Sequence, residues 1–266
     1  MNLYKSAYWT KWAISLYVII FLLDVTVGVR INKLQVPEVT HIGSPVILDC
    51  DYSWEETKDE GIVVKWYFNE EKIPVYQWIA TKKPQVLGIL KGRLNLEYSV
   101  SQDKNSKHRA LHITKPGPDL SGDYTCLVSS FNNEDRRTKS MLVFVPEKNL
   151  DLRQERIGEE VLQVLCSAEG VFPKPDMSLL MGSSEVNGSL VTVEERDGLF
   201  DIKARANIPA LISPEEFSCE LRIPKANYTV RKEAVYYPGA YGTALAPSGF
   251  LLFAILCSKG IFLLKG

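Results

Sequence analysis

Histidine is scarce in this sequence, and an excess of charge of either sign is missing. Three histidines, His41, His108 and His112, are scattered through 266 residues. They do not make up a zinc-ligand set: only His108 and His112 lie within a few residues of each other, with no further ligand spaced beside them. His112 alternates against Leu111 and Ile113 and is expected on the exposed side of a strand. The 31 basic and 32 acidic side chains leave a formal charge of -1. There is no basic surplus of the kind that binds phosphate backbones, so nucleic acid is not an expected partner. No glycine-rich phosphate loop and no nucleophile elbow occurs. The acidic stretch EETKDE (55–60) lacks the spaced oxygen donors of a calcium loop and reads as a solvated turn. These absences argue against an enzyme, a metal site and a cofactor.

Long apolar runs lie at the two ends. Near the start, Lys5 and Lys11 precede WAISLYVIIFLL (12–23), and small residues follow up to Gly28. Residues 1–28 therefore read as a secretory signal peptide rather than a retained anchor, the run being short for a span. Near the other end, GFLLFAILCSKGIFLL (249–264) is interrupted by Lys259 and preceded by the small residues GTALAPSG. Residues 237–248 read as a stalk and anchor-site region. Residues 249–266 read as the tail of a glycolipid-anchor signal, with Gly242 as the expected attachment residue. The alternative is a single short membrane span. Either reading tethers the chain by its C-terminus to the extracellular face of the plasma membrane.

Cysteine is limited to five residues, and Cys257 falls in that tail. The remaining four, Cys50, Cys126, Cys166 and Cys219, are an even set for an oxidising compartment, with three pairings possible in principle. Alternation selects among them. In VILDCDY, Val46, Leu48, Cys50 and Tyr52 share a face; in IVVKWYF, Val64, Trp66 and Phe68 do; in LSGDYTCLV, Tyr124, Cys126 and Val128 do. Two inward cysteines with an inward tryptophan on a third strand describe the centre of a two-sheet sandwich bridged Cys50–Cys126. Tyr124 stands where a tyrosine corner would bond back to the chain, and Gly122 permits the turn before it. The second half repeats the scheme around Cys166 and Cys219. Leu162, Val164, Cys166 and Ala168 alternate inward, as do Phe217, Cys219, Leu221 and Ile223. No tryptophan occurs there; Leu180 is expected in the corresponding core position, and Phe217 stands in place of the corner tyrosine.

Cys50, Trp66 and the run from Leu120 to Cys126 resemble the variable-type signature of the immunoglobulin superfamily. The long interval from Trp66 to Cys126 leaves room for that type's extra strands. The resemblance implies an all-β chain of two tandem immunoglobulin-like β-sandwiches, variable-type over 29–146 and constant-type over 147–236, with the boundary in VPEKNL (145–150). Many family members carry an acidic residue six before the second cysteine, paired with an arginine. That position is Leu120 here, with Asp119 one step earlier, which argues against a salt bridge from Arg93. Within the superfamily, VKWYFNEEKIPVYQWIATKKPQVLG (64–88) and CSAEGVFPKPDMSL (166–179) are similar to beaten-path proteins. Those are neuronal surface or secreted proteins that act in axon guidance by binding sidestep-type receptors.

The expected docking surface is the outer face of the sheet that holds Trp66 and Cys126. Lys65, Tyr67, Thr125 and Leu127 point out if those two point in. The strand PVYQWIA (74–80) adds either Tyr76 and Trp78, the pair favoured here, or Val75 and Ile79. Phe131 lies near the base of a hairpin loop spanning 130–137. Lys82, Lys83, Lys91 and Arg93 form a basic flank suited to an acidic partner. Two sequons, Asn187-Gly188-Ser189 and Asn227-Tyr228-Thr229, place expected glycans on the second sandwich only. The first is thereby left free to make contacts. The function expected is recognition of another cell-surface protein, an immunoglobulin-superfamily ectodomain or a second copy of this chain, in adhesion or axon guidance. The alternative is an immune-type or secreted protein that binds soluble or microbial ligands.

Overall fold

The computed structural model describes residues 28–54, 61–70, 72–131 and 133–239. The expected signal peptide up to residue 27, residues 55–60, Gly242, Cys257 and the expected anchor tail lie outside the described residues. Among the described residues no helix is long and apolar enough to cross a membrane.

The first sandwich is built from β1 (Arg30–Gln35), β2 (Val39–His41), β3 (Val46–Ser53), β4 (Val63–Phe68), β5 (Tyr76–Ile79), β6 (Gln85–Val86), β7 (Leu111–Ile113), β8 (Gly122–Ser129) and β9 (Glu134–Phe144). One sheet runs β1-β3-β7; the other runs β2-β9-β8-β4-β5-β6. β5 and β6 are the two additional strands that distinguish a variable-type sandwich. The second sandwich is built from β10 (Leu150–Ile157), β11 (Val161–Val171), β12 (Asp176–Met181), β13 (Ser184–Glu185), β14 (Leu190–Arg196), β15 (Leu199–Pro209), β16 (Glu215–Ile223) and β17 (Tyr228–Tyr236). Its sheets run β10-β11-β15-β14 and β13-β12-β16-β17, a constant-type arrangement with a two-residue extra edge. The chain is thus all-β, two immunoglobulin-like sandwiches in tandem.

Alternation puts one apolar face of each strand into each core. In the first, Leu48, Cys50, Val64, Trp66, Tyr124, Cys126 and Val128 are fully buried. Cys50 and Cys126 are bridged across the sheets with Cα atoms 6.4 Å apart. Tyr124 Oη donates to Leu120 O at 2.9 Å, the tyrosine-corner bond. At Gly122 it is space that demands glycine: a Cβ there would collide with the side chains of Asn69 and Phe68. Asn69 Oδ1 uses the opening to accept from Asp123 N at 2.9 Å.

In the second core, Cys166 and Cys219 are bridged. Leu179, not Leu180, fills the place opposite them. β12 pairs with β16 so that Leu179 faces Cys219, and Leu179 is fully buried while Leu180 is half-buried. The single-residue difference follows from register, which sends adjacent side chains to opposite faces.

Between the sandwiches, β9 ends at Phe144 and β10 begins at Leu150. The connecting residues bond to the second sandwich: Val145 N donates to Phe172 O at 2.9 Å, and Phe172 N returns to Val145 O at 3.0 Å. The Phe144 ring packs on Tyr228 with centroids 5.6 Å apart, and Tyr228 Oη donates to Glu147 Oε1 at 3.2 Å.

Candidate partner-binding face

Strand register builds the outer face of the six-stranded sheet. Lys65 on β4 stands opposite Gln77 on β5 and Leu127 on β8. Leu127 in turn faces Arg136 on β9. The next row is Tyr67, Thr125 and Thr138, and on the other side lie Ile79, Val63, Ser129 and Glu134. Lys65, Tyr67 and Leu127 are half-buried, and Arg136 is exposed. The Arg136 guanidinium sits 5.8 Å from the Tyr67 ring centroid, within cation–π range. Thr125 points to this face but is covered there, its Oγ1 hydrogen bonded to Thr138 Oγ1 at 2.7 Å. Among the described residues neither Lys65 nor Arg136 pairs with a carboxylate. The face therefore has an apolar centre flanked by the cations Lys65 and Arg136, with Glu134 in the neighbouring row.

Tyr76 and Trp78 do not belong to it. Register pairs Tyr76 with Trp66 and Trp78 with Val64, and both rings are buried in the core. Their polar tips explain the inward choice. Tyr76 Oη donates to His108 O at 2.7 Å, and Trp78 Nε1 donates to Lys82 O at 3.1 Å. Burial raises the Tyr76 hydroxyl pKa well above its ordinary value, with a smaller contribution from Tyr52. The outward residues of β5 are Gln77 and Ile79, Ile79 being 39% exposed. Val75, the other alternative, is buried as well.

The hairpin is tighter than the sequence suggests. Ser130 N donates to Asn133 O at 2.8 Å, and β9 begins at Glu134, so Arg136 and Arg137 lie on a strand rather than in a loop. Arg136 thereby enters the face, and its missed signal was the alternation of Glu134, Arg136 and Thr138. Phe131 at the hairpin tip is 80% exposed. Its ring leans on Gly61, where a Cβ would stand 2.7 Å away and where φ is +128°, a conformation that glycine tolerates.

The basic flank is only partly free. Lys82, Lys83 and Lys91 are exposed, but Arg93 is paired: its Nη1 lies 2.6 Å from Asp119 Oδ2. The 3-10 turn Pro118–Leu120 buries Leu120 and turns Asp119 outward toward Arg93, so the ion pair forms one residue away from the usual position. His112 is half-buried rather than exposed. Its ring centroid lies 5.0 Å from that of Tyr98, because the segment leading into β7 folds over the strand. Asn187 and Asn227 are both exposed at turns of the second sandwich, before β14 and before β17. Among the described residues no group of three or more His, Cys, Asp or Glu stands where it could hold a metal ion.

The family model of the CD47 immunoglobulin-like domain matches residues 15–148. A search of curated proteins by sequence finds no match. Among solved structures, bovine butyrophilin is 16% identical, covers 79% of this chain and 98% of its own, and superposes with a TM-score of 0.62. A chain from the structure of ICOS in complex with ICOS-L and an anti-ICOS-L VNAR domain is 17% identical, covering 74% of this chain and 97% of its own, with a TM-score of 0.56. The mouse nectin-like molecule 4 ectodomain is 9% identical, covering 75% of this chain and 65% of its own, with a TM-score of 0.53. At these identities the likeness to solved structures is one of fold.

Proposed function

The chain belongs to the family of the CD47 immunoglobulin-like domain, and from that premise we propose that it is a cell-surface recognition protein. Its first sandwich binds the ectodomain of another surface protein through the outer face of the six-stranded sheet. One observation carries this reading. Tyr67, Leu127, Lys65 and Arg136 occupy the middle of that face although the core is complete without them. Aromatic and arginine side chains around an apolar centre are what dominates binding at protein interfaces. The solved complex of ICOS with ICOS-L shares the fold and supports a protein as the partner. The similarity of 64–88 to beaten-path proteins supports adhesion or axon guidance as the setting. The apolar tail supports tethering at the C-terminus, by lipid at Gly242 or by a short span.

Leu127→Glu tests the reading. It places a carboxylate in the centre of the face without touching the core. Adhesion of cells that display the full chain to partner-bearing cells should weaken by about 30-fold or more, as for a hot spot worth about 2 kcal/mol. Both disulfides should still form. Undiminished adhesion with intact disulfides would remove this face as the binding site.

A further inference from the structure

The second sandwich has four sheet edges, and three of them are guarded. An open edge offers unpaired backbone groups to any other strand, and proteins blunt such edges with charge or shortness. β10 carries Arg153, Glu155 and Arg156, and β17 carries Arg231, Lys232 and Glu233. β13 has two residues. The fourth edge, β14, is seven residues long and pairs only with β15. Its C-terminal half is charged, with Glu194, Glu195 and Arg196. Its N-terminal half is not: Leu190 is 63% exposed and Val191 is 42% exposed. β10 and β17 each carry one such residue, Ile157 and Val235, but among the described edge strands of this domain β14 alone has two side by side.

Three residues before Leu190 stands Asn187, exposed, followed by Gly188 at φ +75° and Ser189. The turn joins β13 to β14, so it sits where the two sheets' open edges meet on one side of the sandwich. We propose that Asn187 carries an N-linked glycan whose structural task is to guard the apolar half of β14 against pairing with another copy. In the transfer, the Asn187 side-chain nitrogen bonds to the anomeric carbon of an oligosaccharide carried on a lipid pyrophosphate. The anomeric C–O bond breaks, the lipid pyrophosphate leaves, and one amide proton is lost to a base. The two disulfides place the sandwiches in the oxidising compartment where that chemistry occurs. A bulky hydrated chain at the strand's entry does for Leu190 and Val191 what Glu194, Glu195 and Arg196 do further along. The inference stands apart from the docking face on the first sandwich, and either can fail without the other.

The experiment uses the full chain expressed on eukaryotic cells and extracted in mild detergent. Asn187→Gln and Ser189→Ala should each remove one glycan-sized step of mass on a gel. Each should also raise the fraction of dimers and higher species, by several-fold, in light scattering after size exclusion. Asn227→Gln should remove a step without raising association. Adding Leu190→Lys to Asn187→Gln should restore the wild-type size distribution. No mass change in Asn187→Gln, a mass change without new association, or association that Leu190→Lys leaves in place would each overturn the proposal.

Discussion

The first sandwich fills its centre with aromatic rings that have polar tips; the second fills its centre with aliphatic side chains and one phenylalanine. Trp66, Trp78, Tyr76 and Tyr124 are buried in the first, whereas Leu179, Ile202, Ala204, Ala206 and Phe217 occupy the second. The bridges do not account for the difference. Their separations of 76 and 53 residues give loop-entropy stabilisations of about 4.5 and about 4.2 kcal/mol, a gap of about 0.3 kcal/mol. What differs is the use of the polar tips. Tyr52 Oη donates to Asn105 O, Tyr76 Oη to His108 O and Trp66 Nε1 to Arg109 O at 3.1 Å. Arg109 then reaches back to Asp49, Nε to Oδ1 at 2.9 Å and Nη2 to Oδ2 at 3.1 Å, and to Asp51 at 2.5 Å. Burial works against its charge, but its hydrogen bond to Asp49 and the charges of Asp49 and Asp51 hold the guanidinium protonated more firmly than usual. The aromatic core thus straps a long irregular segment, 95–110, onto the sandwich. Among the described residues the second core has no such segment to hold.

The largest separation between the two halves should come from the core itself. Trp66→Ala should cost about 3–5 kcal/mol, through a cavity and a lost anchor for Arg109 O. Leu179→Ala should cost about 2–5 kcal/mol in the second sandwich. Calorimetry that resolves two transitions should show each change in its own domain. A Trp66→Ala protein whose two transitions move equally would break the comparison.

Next in size is Arg109→Leu, which leaves Asp49 nearly buried without its cation. Loss of one partner from a buried pair costs about 3 kcal/mol at the low end of its range, and this pair is not wholly buried. Limited proteolysis should then open within 95–110 while the second sandwich stays resistant. Cleavage that begins in the second sandwich would count against a local role for the strap.

The smallest effect is alkaline. Burial raises the pKa values of Tyr52, Tyr76 and Tyr124 in the folded state, above an unfolded value of about 10. A raised pKa for an acid that must stay neutral means its stabilisation is whole below pH 10 and declines as pH rises beyond it. The first transition should therefore fall in temperature above pH 10 by more than the second. Tyr76→Phe should remove about 1 kcal/mol at neutral pH and reduce the alkaline slope. An unchanged slope would mean that Tyr76 ionises freely in the fold.

Much of this architecture was legible because it rests on alternation within short strands. VILDCDY, IVVKWYF and LSGDYTCLV each declare their inward face without help. β5 did not, because YQWI offers large side chains at both buried positions and nothing local says that they point inward. The pairing of Tyr76 with Trp66 decides it, together with the His108 carbonyl, 32 residues from Tyr76, that accepts from its hydroxyl. Arg136 was hidden for a related reason: a polar run after a turn looks like loop until β8 supplies the partner that makes it strand. Asp119 escaped because the 3-10 turn moves the acidic position by one residue.

Local pattern thus determined the two sandwiches, the inward cysteines and the tyrosine corner, since strand periodicity and turn residues act over a few positions. Only the tertiary structure decided that Tyr76 bonds to the strap and Trp78 packs on its His108, while Lys65, Tyr67, Leu127 and Arg136 form the outer face. Which side of a strand meets solvent depends on its neighbour's register, and that neighbour is brought in from elsewhere along the chain.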